Sequence, residues 1–342
     1  MNILTVFKRE WTYLLIFFCL LIVIACDRSD RDQPKVGMFV FGEGYSDAGW
    51  RENCRKGIMM AFDEFEFDTL FLSAKSGLQE VMDEFPKQGV DLLVLGGMVA
   101  EAEMLVTARN NPEMKFVIVD DRYTGDLKNV RSIDYAGEEA CFPLGFLAAA
   151  WAELNDPEQP VVGIVAGMDL PPVRRLFEAY EMGVNHFNNS FSREVGFRLS
   201  ILNSFDDDGL GYLVGDSLVN YQGADVIAVL AGNAGNGSLR AAKANGKWGV
   251  GIDVDQYYSL PDVKDILLSS CIKRLDTTIY TVTVQYLSGQ ADVEMVHLGT
   301  LANHGVALAP YHKFDALIPD SIKQAVTSLK NDIIDGKRNP RL

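Results

Sequence analysis

The sequence predicts an α/β protein of two doubly wound, mostly parallel sheets, joined by a hinge and enclosing a central ligand cleft. Three observations carry this prediction. Short aliphatic runs alternate with stretches of helical apolar spacing, the pattern of βαβ units. That pattern runs once from Lys35 and restarts near Val161. The 342 residues are too many for one ordinary core and suffice for two.

The elements follow in order. "VGMFVF" after Lys35 reads as a buried strand, and Ile58, Met59, Phe62 and Phe65 place a helix behind it. "TLFLS", "LLVLGG" and "FVIVDD" are the next strands. "VVGIVAG" begins the second series, and its helix carries Val173, Leu176, Phe177, Tyr180, Val184 and Phe187 on one face. "VGFRLSIL", "DVIAVLAG" and "WGVGIDV" continue the alternation. "ILLSSC" precedes a helix face of Ile272, Leu275, Ile279, Val282 and Tyr286. "GVALAP" is a late short strand, and a last helix from Asp320 buries Ile322, Ala325, Val326, Leu329 and Ile333.

Doubly wound sheets bind ligands beyond the carboxyl ends of their strands, so the residues just after each strand matter most. Asp47 and Trp50 follow the first strand, and Asp120 and Asp121 follow "FVIV". Met168 and Asp169 follow "VVGIVAG", and Asn203, Ser204 and Phe205 follow "RLSIL". "NAGNG" after Gly232, then Asp253 and Lys273, complete the set. Acids, amides, one lysine and aromatic rings suit a polar, ring-bearing small molecule held between lobes. A single strand-end polar residue is more often a helix cap than a ligand contact.

Composition excludes other classes. The net charge of −16 leaves no basic stripe to neutralise phosphates, so nucleic acid is not an expected partner. No GxxxxGK[ST], ordered GxGxxG, HExxH or GxSxG occurs, and the four histidines have no zinc-ligand spacing. No cofactor, metal or catalytic set is therefore expected. The glycines of "AGNAGNG" read as a ligand-facing turn, and "DVD" at 253–255 as a cap plus one ligand contact.

The N-terminus differs from the rest. Lys8 and Arg9 precede an apolar run from Trp11 to Cys26, short for a bilayer span and ordered like a secretory leader. A plain membrane anchor is the alternative. "VIAC" resembles a bacterial lipobox, which predicts a signal peptide over 1–25, lipid on Cys26 and a tether over 26–34. Asp27 resembles an inner-membrane retention signal. The expected location is the cell membrane, lipid-anchored and facing the periplasm or exterior. Cys54, Cys141 and Cys271 are too scattered for a disulfide framework and read as buried thiols.

Several segments resemble one family in order. "VVGIVAGMDLPPVRRLFEAYEMGV", "AGNAGNGSLRAAK", "GIDVDQ", "SSCIKRLDTTIYTVT" and "LGTLANHGVALAPY" are similar to segments of the basic membrane protein family. These are ABC-transporter substrate-binding lipoproteins whose best-known members bind purine nucleosides. The resemblance implies the type I periplasmic-binding-protein fold, with permease and ATPase subunits as partners. By position it implies that Trp50 and Phe205 stack on a base, and that Asp47 and Asp120 bond the ligand. It further implies that Asp253 and Lys273 hold ribose hydroxyls and that Gly232 walls the sugar. Arg51 stands where nucleoside binders often carry Asn, which leaves the ligand class open. The division expected is 35–136 with 256–290 in one lobe and 137–255 with 291–342 in the other. A ligand sensor of the same fold for a non-nucleoside molecule, and a nucleoside-processing enzyme, are the alternatives.

Overall fold

The computed structural model describes residues 33–290 and 296–340. The expected leader, the lipid site and most of the tether lie outside these residues. The first series comprises β1 (Lys35–Phe41), α1 (Trp50–Phe62), β2 (Asp68–Ala74), α2 (Leu78–Lys87), β3 (Leu92–Gly96), α3 (Glu101–Asn110), β4 (Lys115–Val119) and β5 (Val130–Tyr135). The second comprises α4 (Gly137–Asn155), β6 (Val161–Ala166), α5 (Pro171–Phe191), β7 (Gly196–Ile201), α6 (Asp208–Gln222), β8 (Val226–Leu230), α7 (Gly232–Ala244), β9 (Trp248–Asp253), α8 (Gln256–Ser259) and β10 (Leu267–Lys273). Then come α9 (Leu275–Leu287), β11 (Val296–Gly299), β12 (Val306–Leu308) and α10 (Asp320–Ile334).

One sheet has the order β11-β5-β4-β3-β1-β2 and the other β12-β10-β9-β8-β6-β7. Pairing is parallel throughout except at β12, which runs antiparallel to β10. Central strands are buried along their length, as in "VVGIVA" and "VIAVL", because helices cover both faces. The two sheets repeat one winding order. Each has a switch point beside its first strand, between β1 and β3 and between β6 and β8. At such a point successive crossovers leave in opposite directions and open a crevice.

The lobe boundaries differ from those expected. β10 pairs with β9 in the second sheet and β11 with β5 in the first. Residues 256–273 therefore belong with the second lobe, and 296–299 with the first. Alternation of apolar runs marks a strand but does not say which sheet it joins. The chain crosses between lobes at Ala136, at Arg274 and over 300–305. The crossings are tied side by side: Ala136 N–H donates to Gly299 O (2.7 Å), and Arg274 N–H to Gly305 O (2.9 Å).

Three helical expectations also change. The buried face of α1 is Arg51, Cys54, Gly57, Ile58 and Ala61; of the expected Ile58, Met59, Phe62 and Phe65, only Ile58 belongs to it. Phe62 is largely exposed, and Phe65 lies beyond the helix. The reason is α9: a Cβ on Gly57 would sit 2.9 Å from Ile279 Cβ, so α1 turns its small residues toward that helix. Ile272 belongs to β10, and α9 starts at Leu275. In α10 only Val326, Leu329 and Ile333 of the expected face are fully buried. The three thiols are free and buried, as expected, and burial pushes those of Cys54 and Cys141 well up.

Asp225 organises the end of the second sheet away from the crevice. It is fully buried, accepts from Val161 N–H (3.0 Å) and pairs with Lys247 Nζ (2.5 Å). It thereby joins the starts of β6, β8 and β9. Asp225→Ala strands the Val161 N–H and the Lys247 ammonium together. It is expected to cost about 2–4 kcal/mol in urea denaturation; a loss below about 0.5 kcal/mol contradicts this role.

Candidate functional site

A cavity of about 140 Å³ opens where the two switch points face each other. Trp50, the first residue of α1, lines it from one lobe, and Phe205, just after β7, from the other. Each ring lies on a strand-end glycine. A Cβ on Gly96 would meet Trp50 Cη2 at 2.9 Å, and one on Gly167 would strike the Phe205 ring. Glycine at these two places lets an aromatic face rest against the backbone.

The polar end of the cavity is Asp120, Asp253 and Lys273. Asp120 follows β4 and Asp253 ends β9, equivalent places in the two lobes. Both hold left-handed backbone conformations, φ 65° and 66°. Such conformations are uncommon outside glycine, though least so for Asp and Asn, and they concentrate at functional sites. Lys273 Nζ donates to Asp120 Oδ2 across the cleft (2.6 Å) and lies 3.5 Å from Asp253 Oδ1. Asp120 Oδ2 also accepts from the Trp50 indole N–H (3.2 Å), which fixes the ring plane. Burial, reinforced by the charges of Asp120 and Asp47 and only partly offset by Lys273, pushes the Asp253 carboxyl up to about 6. Burial alone would lower the Lys273 ammonium; the two carboxylates hold it above the usual lysine range.

Asp47 has a different role from the one expected. Its Oδ1 accepts from Gly49 and Glu52 N–H (3.0 and 3.2 Å), and its Oδ2 from Arg51 N–H and Nε (3.0 and 3.2 Å). These four bonds use the acceptor capacity of a carboxylate. Asp47 caps α1 and orients Arg51, although it touches the cavity wall. Arg51 is buried and reaches across the cleft, its Nη1 donating to Asp206 Oδ1 (2.6 Å). Burial raises the Asp206 carboxyl, but Arg51 and Lys75 outweigh it and hold the group below the usual aspartate range.

Other lobe-to-lobe bonds surround these. Asn236 Nδ2 donates to Asp47 O (3.0 Å) and is held in turn by Gln256 (2.9 Å). Ser259 Oγ donates to Ala48 O (2.6 Å). Gly232 lines the cavity with φ 52°, whereas Gly237 packs α7 on the Asp208 backbone of α6. Much of "AGNAGNG" thus serves helix packing instead of a ligand-facing turn. Asp255 caps α8 through Tyr257 N–H and pairs with His312 (2.8 Å). Met168 sits in the turn after β6 and does not line the cavity.

The apolar wall was not foreseen. Phe41, Leu230 and Ile252 come from strand ends, and Leu170, Pro172, Val173 and Leu176 from the start of α5. Phe41, Leu230 and Ile252 carried a usable signal, since each lies at or next to the carboxyl end of a strand. A larger cavity of about 480 Å³ runs between α9 and the strands β4 and β5. It holds none of the residues singled out by strand-end position, so volume alone does not mark the site.

The family model described as Bmp, ABC transporter substrate-binding protein PnrA-like, matches residues 34–337. The chain is 29% identical over 265 residues to a Lactococcus lactis protein named ABC transporter nucleoside-binding protein BmpA, covering 73% of this chain and 71% of that one. It is 26% identical over 271 residues to basic membrane protein B of Borreliella burgdorferi, covering 76% and 75%. The crystal structure of ABC transporter system solute-binding proteins from Aeropyrum pernix K1 superposes with a TM-score of 0.82 at 23% identity, covering 89% of this chain and 92% of that one.

The raised Asp253 carboxyl gives a signed pH dependence. The folded state holds this proton more tightly than the unfolded chain does. The resulting stabilisation is complete below about pH 4 and is lost as pH rises through about 6. Relative to Asp253→Asn, the ligand-free protein is expected to lose stability between pH 4 and 7 in chemical denaturation. Parallel profiles for the two proteins contradict the assignment. Lys273→Met strands both carboxylates and is expected to cost about 3–5 kcal/mol at pH 8 and less at pH 5.

Proposed function

Because the chain belongs to the Bmp family of PnrA-like ABC-transporter substrate-binding proteins, we propose that it captures a nucleoside, with a purine as the favoured base, between its two lobes. The observation that carries this is the pairing of Trp50 and Phe205 across one cavity whose polar end is Asp120, Asp253 and Lys273. Two aromatic faces suit a flat heterocycle, and stacking is worth about 1–3 kcal/mol per base. Ionised carboxylates accept strongly from vicinal hydroxyls, and the Lys273 ammonium donates to a ring nitrogen or sugar oxygen. The Lactococcus relative's name supports the ligand class.

Capture is a change of shape. Ligand groups that bond Asp120 in one lobe and Asp253 and Lys273 in the other favour the closed form, and binding shifts the population toward it. A permease and its ATPase subunits read the closed surface. Lipid on Cys26 holds the domain at the outer face of the membrane, a reading supported by the name of a Pyrococcus furiosus relative, an uncharacterized lipoprotein. The reading is one of binding without turnover; nucleoside recovered unchanged by chromatography after incubation supports it, and released base opposes it.

Calorimetry against a panel of purine and pyrimidine nucleosides and free bases tests the ligand. Trp50→Ala and Phe205→Ala are each expected to weaken binding by about 1–3 kcal/mol, roughly 5- to 150-fold. Affinity is also expected to fall as pH drops through about 6, where Asp253 takes up its proton and loses acceptor strength. Absence of heat with every nucleoside and base in the panel removes the ligand assignment and leaves the fold and family intact.

A further inference from the structure

We propose that the ion pair between Arg51 and Asp206 is a clasp that sets the separation of the two stacking rings, and so selects planar ring systems. This deepens the reading of the cleft as the capture site and rests on it. The argument starts from adjacency in sequence. Arg51 directly follows Trp50, and Asp206 directly follows Phe205. The residue after each ring is therefore bonded to the residue after the other ring, from the opposite lobe, with Nη1 to Oδ1 at 2.6 Å.

Both ends of the clasp are rigid. Arg51 lies in the first turn of α1, where Asp47 holds its backbone N–H and its Nε. The Asp47 carbonyl is itself held from the second lobe by Asn236. On the other side, Ser204 Oγ accepts from Asp206 and Asp207 N–H (3.1 Å each), and Asn233 Nδ2 donates to Asp206 O (2.9 Å). Lys75 adds a second cation at 3.2 Å from Asp206 Oδ2. The side chains of Arg51 and Asp206 are only 7% and 12% exposed, so salt screens the contact weakly. With both backbones pinned, the length of the ion pair is transmitted to the rings beside it. The guanidinium engages Asp47 through Nε and Asp206 through Nη1, and Arg51 also borders the cavity. The Lys273–Asp120 pair also crosses the cleft, but its groups line the polar end of the cavity, where a ligand engages them.

Asp206→Asn, Arg51→Met and the double variant, each made in the full chain, test the clasp in two arms. The first arm needs no ligand: amide hydrogen exchange over residues 43–52 and 204–210. Each single variant is expected to raise exchange in both segments by about fivefold or more, and the double variant to add little, since interacting residues are non-additive. The second arm compares uridine with 5,6-dihydrouridine, whose ring is puckered, and uses inosine as the purine probe. Wild type is expected to prefer the planar ring, and Asp206→Asn to lose most of that preference. Unchanged exchange, or effects of the single variants that simply add, overturns the clasp. Retained discrimination by Asp206→Asn overturns its role in selectivity. If no nucleoside binds wild type, the capture reading fails while the exchange arm still decides the clasp. Asp206→Asn keeps the shape of the side chain, so this arm stands on that variant alone if Arg51→Met does not fold.

Discussion

A single ammonium, Lys273, faces two carboxylates, half-buried Asp120 and buried Asp253, that come from equivalent strand ends of the two lobes. Much of the cleft is arranged around that imbalance. Charges taken out of water are costly unless paired and hydrogen-bonded, and here one cation serves two anions. Asp120 receives the short contact and the indole N–H of Trp50. Asp253 receives the longer contact, and burial, only partly offset by Lys273, pushes its carboxyl up to about 6. Both aspartates also hold a backbone conformation that costs about 1–3 kcal/mol apiece outside glycine. A site organised for stability alone has no need of this spare acceptor capacity. Such spare acceptor capacity is satisfied by hydrogen-bond donors.

The doubling of the fold makes such a site available. Two sheets of the same winding order place their crevices face to face, and three side-by-side crossings hold them there. The crossings concentrate at the 299–305 segment, where Gly299 and Gly305 approach so closely that neither admits a side chain. The same tied backbones are the only covalent route by which one sheet is positioned against the other among the described residues. Across the cleft the lobes are joined by polar contacts: Lys273 with Asp120, Arg51 with Asp206, Asn236 with the Asp47 carbonyl, and Ser259 with the Ala48 carbonyl. Polar contacts of this kind are exchanged for water on opening at modest net cost, whereas a large apolar interface would resist it.

The strand ends were the most legible part of the site. Trp50, Asp120, Phe205, Gly232, Asp253 and Lys273 all line one cavity, and their position after strands was enough to single them out. Roles that depend on a distant segment are not legible in this way. Asp47 looked like a free acceptor because its sequence position cannot show that four N–H donors already converge on it. On α1 Ile58 is buried as its spacing predicts, but a close helix partner favours Gly57 and Ala61 over Met59 and Phe62. Asp206 has no sequence signal of its own, since one acid beside another in "FDDDG" carries no mark of which will meet a cation from the other lobe.

What the amino-acid sequence determined by itself is the periodicity: two series of buried strands and amphipathic helices, with polar and aromatic residues after the strands. These follow from local rules of spacing and burial, which need only neighbouring residues. What the tertiary structure decided is everything that requires two distant segments to meet. It assigned β10 and β11 to their sheets, gave Lys273 its two aspartates, turned Asp47 from acceptor to cap and joined Arg51 to Asp206. A charge becomes a site only through its distance to other charges and its removal from water, and both are set by the packing of the lobes.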